Sequence, residues 1–447
     1  MTEKIKSIME RIQIPNADAL RGNIYLPDRM DGTAITWKSS NPEVITDRAV
    51  GAKAAGVVIR GITDCCVTLT AYVEYDEEKA EKEFHVTVLA APTAITEDDY
   101  AGYLFGHFIG EEDGMGEQIY FAVSEDGLHF KDMNGGRPVL ISTIGEGGVR
   151  DPYLYRSPEG DRYFLIATDL SIYNRGGWYK NEQGYYDAST TGSSSLVLWE
   201  STDLVNWGKP RLLPVAPENA GMAWAPEMIY DDETGEYIIF FASSIMNPAT
   251  KYKAKPNAIY YVATRDFVHF SDTGLFIDCQ NDGAADGRPR EIIDTTILKV
   301  GDTYYSASKD GDNTEENGGI RLMKTKNLLD YKSWEKVLDL DELGLDTSAL
   351  GGRSLDNGLL EGPELFRYNR RDWADKDVPE YGLIADQYAI GAGYLPFTTT
   401  NLEDTDNSAK SWRLLSAKDY SFDKLKKRHG TIFPITGEEL ERLMKAF

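Results

Sequence analysis

The sequence predicts an all-β protein, a five-bladed β-propeller preceded by a small β-sandwich. Three observations predict it. Short apolar runs bounded by turn residues fill most of the chain, with helical periodicity confined to the two ends. One motif recurs five times at intervals of about 60–80 residues, the length of a four-stranded antiparallel sheet with variable loops. Aromatics make up 11% of the 447 residues, 26 Tyr and 8 Trp among them, which suits β-structure and aromatic-lined clefts.

Taken in order, Ile5, Ile8, Met9 and Ile12 recur at helical spacing and predict a short amphipathic helix. Strand-like runs follow at 35–37, 44–45, 56–59, 67–73 and 84–89, the spacing of a β-sandwich over residues 1–91. Ala90-Ala91-Pro92-Thr93 is the linker, and the propeller occupies residues 92–447. There the repeat is an apolar strand, then Ser or Thr, any residue, and Asp or Asn, at Ser124/Asp126, Ser201/Asp203, Thr264/Asp266, Thr325/Asn327 and Thr399/Asn401. Hairpin partners stand between the copies: 153–155 with 163–166, 228–230 with 237–241, and 296–298 with 304–305. The first copy lacks an upstream partner and Gly430–Ile435 lacks a downstream copy, so the two ends are expected to share one blade that closes the ring. Residues 437–447 read as a capping helix with Leu440, Leu443 and Met444 on one face.

A formal charge of −26 leaves no basic stripe to neutralise phosphates, which excludes a nucleic-acid partner and leaves neutral sugars open. No segment has the length and apolarity of a membrane span. The N-terminus lacks the apolar stretch of a secretory signal, so the chain as it stands reads as cytoplasmic; a secreted chain trimmed of its signal would look the same. Cys65, Cys66 and Cys279 have neither disulfide nor metal-ligand spacing.

In a propeller the first strand of each blade lines the central channel, so a site is built from residues at blade openings. Three openings carry a carboxylate: Arg150-Asp151-Pro152, Ile293-Asp294-Thr295 and Leu360-Glu361-Gly362-Pro363. A fourth, Trp224-Ala225-Pro226-Glu227, offers an indole as a sugar platform. The other reading of Asp151 and Asp294 is as turn carboxylates bonded to backbone.

This ordered set, completed by Arg428-His429-Gly430, resembles glycoside hydrolase family 43, five-bladed propeller enzymes acting on arabinose- and xylose-containing polysaccharides. The likeness spans roughly residues 100–436, and Ile35-Thr36-Trp37-Lys38-Ser39-Ser40-Asn41-Pro42 resembles the degenerate bacterial immunoglobulin-like domains attached to such enzymes. The resemblance implies that Asp151 is a general base, Glu361 a general acid and Asp294 the residue that orients the acid and raises its pKa. Inversion needs one protonated and one ionised carboxyl on opposite faces of the sugar, so Glu361 is expected protonated near neutral pH and Asp151 ionised. His107 and Asp169 are sugar contacts or buried structural residues, and Gln387 and Tyr394 shape the rim or fill the blade. His429 resembles a histidine that some members place near calcium or another ion in the channel; no cofactor is otherwise required.

The Arg-Asp-Pro triplet also occurs in sucrose- and fructan-cleaving propellers, but their Asn-Asp-Pro nucleophile is missing here. The expected activity is an inverting exo-glycosidase releasing α-L-arabinofuranosyl residues from plant polysaccharide fragments, with β-xylosidase or a bifunctional enzyme as the alternative. The contrasting class is a non-catalytic carbohydrate-binding propeller.

Overall fold

A computed structural model describes residues 2–279, 290–311, 318–347, 355 and 360–447. Among the described residues the strands form six four-stranded antiparallel sheets. The N-terminal sheet runs Arg29–Met30, Thr33–Ser39, Cys65–Tyr75, Glu78–Val88. Along its third strand Val67, Leu69, Ala71 and Val73 are buried, the two-residue period of a sheet with one covered face. The helix Glu3–Arg11 covers one end of that face through Ile5, Ile8 and Met9. Leu20, Ile24 and Ile45 cover the other. The strands expected at 44–45 and 56–59 form only the bridge Ile45–Val58. Gly56, at φ +94°, accepts the Ile24 N–H at 2.9 Å, and a Cβ there would collide with the Ile24 carbonyl oxygen, so the close approach requires glycine.

The other five sheets open on Val149–Arg156, Trp224–Asp231, Ile292–Val300, Glu361–Arg367 and Arg428–Thr436. The last sheet is composite: its C-terminal first strand pairs with Tyr100–Phe108, which is followed outwards by Tyr120–Ser124 and Lys131–Asp132. Each opening strand adjoins the next, and Arg428–Thr436 adjoins Val149–Arg156, so the order closes on itself around an axis as in a β-propeller. Neighbouring sheets are joined by separate apolar clusters, for example Phe164, Leu198 and Phe241 between the first two. The repeat lies at the end of the third strand of each of these five sheets. There the Ser or Thr hydroxyl accepts backbone N–H bonds: Asp126 and Gly127 donate to Ser124, while the Asp126 carboxylate accepts from Leu128 and His129. The motif is turn chemistry, repeated because each sheet makes the same turn.

The C-terminal helix Gly437–Ala446 carries a Thr436/Glu439 capping box. Leu443 is fully buried and Leu440 packs beside it, but Met444 faces solvent, so the apolar stripe is narrower than expected. The N-terminal domain docks on the turns of the first two sheets, at the end of the blades away from their opening residues. Arg60 makes a two-pronged ion pair with Asp161 at 2.8 and 2.9 Å, Arg21 reaches the same carboxylate at 2.6 Å, and Arg265 donates to the Ala54 and Ala55 carbonyls. A cavity of about 380 Å³ lies along this interface, lined by Asn16, Asn23, Arg162, Glu200 and Arg265, and no blade-opening carboxylate borders it.

Candidate active site

Each blade-opening strand is bulged near its start. Pairing jumps from Arg150/Thr168 to Tyr153/Ile166, from Trp224/Ala242 to Glu227/Phe240, from Ile293/Lys309 to Thr296/Ala307 and from Glu361/Asp386 to Glu364/Ile384. An extra residue in one strand turns side chains that would otherwise alternate. One bulge residue in each of these four is left-handed: Asp151 at φ +50°, Ala225 at +46°, Asp294 at +51° and Gly362 at +52°. Non-glycine residues seldom adopt this conformation, so its recurrence marks a constrained rim. Asp151 and Asp294 therefore occupy equivalent places. Glu361 stands one residue earlier, equivalent to Arg150, Trp224 and Ile293.

His429 ties the three carboxylates together. Its Nδ1 lies 3.4 Å from Asp151 Oδ1, and its ring packs on Gly362 so closely that a Cβ there would sit 2.7 Å from its Cγ. Gly362 in turn donates its N–H to Asp294 Oδ2 at 3.1 Å. Burial alone would discharge the imidazole, but Asp151, Asp294 and Glu361 raise it to about 9, so it is a cation at neutral pH. Burial likewise disfavours charge on Asp151; the hydrogen bond and charge of His429, the charge of Arg150 and the 2.8 Å Thr168 hydroxyl bond outweigh it and hold the carboxyl below its usual range. Asp294 goes the other way. Burial, with the charges of Glu361 and Asp151 added, raises it to about 6 against His429 and Lys309.

Glu361 departs from expectation. Burial favours its neutral form, yet Lys309 Nζ at 2.9 Å from Oε2 and Arg428 Nη2 at 2.9 Å from Oε1 prevail, and the carboxyl sits below its ordinary range. It is ionised, because two cations face it directly and the repulsion of Asp294 is the weaker influence. Asp294 is instead the carboxyl whose protonation is raised.

The cations belong to a larger network. Arg428 also pairs through Nε with the buried Asp386. Arg150 bridges Glu117 at 2.9 Å and Glu111 at 3.2 Å and lies over the Phe108 ring. Glu111 accepts from the Trp178 indole at 3.1 Å, and Trp178 meets Trp224 edge to face at 6.3 Å. The partly exposed Trp224 thus has a second indole beside it, an aromatic wall suited to a sugar face.

The remaining expected contacts are structural. His107 has no exposed surface, faces the Phe108 carbonyl through Nδ1 and stacks on Tyr120, because it lies on the second strand of its sheet. Asp169 is buried beneath the 144–147 turn and accepts from the Glu146 N–H at 2.8 Å. Gln387 closes its own turn onto the Gly393 carbonyl. Tyr394 is buried against Phe105 and Phe422, and its hydroxyl accepts from Gly430 N–H at 2.9 Å. As for His429 as a metal ligand, its Nδ1 faces Asp151 at 3.4 Å, and the described residues hold no group of three or more His, Cys, Asp or Glu placed to share an ion with it.

Sequence reasoning assigned no role to Lys309, Arg428, Glu111 or the pair Glu227 and Glu364. Hairpin counting from Gly301-Asp302 would have placed Lys309 opposite Asp294, and the bulge moves it one residue on, opposite Ile293. Glu227 and Glu364 lie three residues beyond their bulge starts, fully buried. Thr296 Oγ1 and Ile432 N–H donate to Glu364 at 3.3 and 3.1 Å, and Ile297 N–H donates to Glu227 at 3.3 Å. Burial raises Glu364 to about 8; burial and the charge of Glu364 raise Glu227 well above the carboxylate range, so protons are retained under the site.

A family profile described as a probable glycosyl hydrolase domain, related to family 43, matches residues 98–441, and an atrophied bacterial Ig domain profile matches residues 6–91. An α-L-arabinofuranosidase of Bifidobacterium longum subsp. longum is 34% identical over 431 residues, covering 88% of this chain and 38% of that protein. The chain thus spans well under half the length of that relative. Solved structures similar to it include a thermostable family-43 glycoside hydrolase (9% identity, 81% of this chain and 93% of that one, TM-score 0.43) and a Penicillium chrysogenum α-L-arabinanase complexed with arabinobiose (12% identity, 84% and 93%, TM-score 0.41). The chain belongs to the family of probable glycosyl hydrolase domains related to family 43, with an N-terminal atrophied bacterial Ig domain.

Proposed function

We propose that the chain is an inverting, exo-acting α-L-arabinofuranosidase in which Asp151 is the general base, Glu361 the general acid and Asp294 the residue that holds the acid in place. The observation that carries this reading is the gathering of the three carboxylates around His429, with Asp151 ionised beside an imidazolium. Asp151 takes a proton from water as the water oxygen bonds to the anomeric carbon. The glycosidic bond breaks, and Glu361 delivers its proton to the departing oxygen. Asp294 acts through the backbone, since its bond to Gly362 N–H orients the residue next to the acid. The name of the B. longum relative supports arabinose as the sugar.

The test uses two leaving groups. Asp151→Asn should lose turnover of both a nitrophenyl α-L-arabinofuranoside and arabinobiose, on the order of 100-fold or more. Glu361→Gln should lose arabinobiose hydrolysis to a similar degree yet keep much more activity on the nitrophenyl glycoside, whose leaving oxygen needs little protonation. Equal retention of arabinobiose turnover in Glu361→Gln rejects the acid assignment. Appearance of the retained anomer first, by NMR, rejects inversion.

A further inference from the structure

Both oxygens of Glu361 are occupied in the unliganded protein, Oε2 by Lys309 and Oε1 by Arg428. A carboxyl that protonates a leaving oxygen must carry hydrogen on one oxygen and point it at the substrate, so one cation has to withdraw. The two are unlike. Arg428 is a rigid fork buried against Phe108 and anchored on Asp386 as well as Glu361. Lys309 is a point charge on a flexible stem, with a fifth of its side chain exposed. It also has a second partner that can keep it once Glu361 is released: its ammonium lies 4.1 Å from the centre of the exposed Tyr388 ring. The other charged groups whose fields reach this part of the site are Asp151, Asp294, Asp386, Arg150, His429, Lys426 and Glu111.

We propose that Lys309 is a positioning residue that gates the protonation of Glu361, holding it ionised while the site is empty and yielding Oε2 when a sugar enters. This rests on Glu361 being the general acid. The arriving substrate turns the ammonium off Oε2 while it keeps its contact with Tyr388, and Oε2 takes up a proton from solvent. That proton passes to the leaving oxygen as the glycosidic bond breaks; after product departs, Lys309 returns to the carboxylate. The water proton taken by Asp151 goes to solvent, so the cycle balances. The empty site thereby keeps its acid unarmed, and proton uptake is coupled to binding.

The experiment is a pair of pH profiles on arabinobiose. The kcat/KM profile reports the free enzyme and the kcat profile the complex. In the unmutated enzyme the alkaline limb of kcat/KM should lie below that of kcat. Lys309→Met, which keeps the stem and removes the charge, should raise the kcat/KM limb by about one pH unit or more and close the gap, because an opposite charge at this range lowers a carboxyl by about that much. Lys309→Arg should restore the gap. A limb that does not move in Lys309→Met overturns the proposal. So does the lack of any gap in the unmutated enzyme, which decides the matter even if Lys309→Met fails to fold. Glu361→Gln assayed in parallel separates the two failures: if it hydrolyses arabinobiose normally, the acid assignment itself is wrong.

Discussion

Gly362→Ala tests the geometry that holds the site together. Gly362 has φ +52°, and a Cβ there would lie 2.7 and 2.9 Å from His429 Cγ and Cβ. Carbon contacts relax at about 3.5–4.0 Å, so the imidazole must move by about 1 Å. Its contact with Asp151 is already 3.4 Å, so a displacement of that size disturbs the ion pair. Gly301 supplies the control. It has φ +59° in an open turn, and a Cβ there would have no neighbour within 4 Å, so Gly301→Ala incurs the same backbone strain and nothing else. Left-handed alanine costs about 1–2 kcal/mol, and both variants should lose that much in denaturant titration. Only Gly362→Ala should also lose turnover, by roughly 100-fold for a misplacement of this size. Its acid limb should move to higher pH as Asp151 loses the imidazolium. Equal kcat and equal acid limbs in the two variants would refute the claim that close packing of His429 on Gly362 sets the base.

Two other outcomes are expected. Glu364 has its folded pKa raised to about 8, so it stabilises the fold fully below the ordinary glutamate range and loses that contribution as pH rises through about 8. Unfolding free energy should therefore fall by up to roughly 1.4 kcal/mol per pH unit across that window, and Glu364→Gln should flatten the slope; an unchanged slope in denaturant titrations means the pair carries no extra proton. Asp161→Ala leaves Arg60 buried without its carboxylate, which should lower stability by about 1–3 kcal/mol and expose the N-terminal domain to limited proteolysis. Its kcat should be unchanged, and a large loss of kcat would show that the domain contact reaches the site.

Sequence alone determined the features that depend on neighbouring residues. The Ser/Thr-x-Asp/Asn repeat is a self-contained hydrogen-bonded turn, so its five positions located the end of every third strand. Alternating apolar strands and short turns identified the hairpins, and three carboxylates stood out because each lies at the entry of a blade-opening strand. Tertiary structure decided ionisation and depth. Lys309 and Arg428 reach Glu361 from strands distant in sequence, and a carboxyl between two cations behaves oppositely to one facing another acid. His107, Asp169, Gln387 and Tyr394 have the chemistry of sugar contacts, but whether a side chain meets solvent or core depends on its strand's place in the sheet. Residue type sets what a group can do; the charges and burial brought to it by distant strands set which of those things it does.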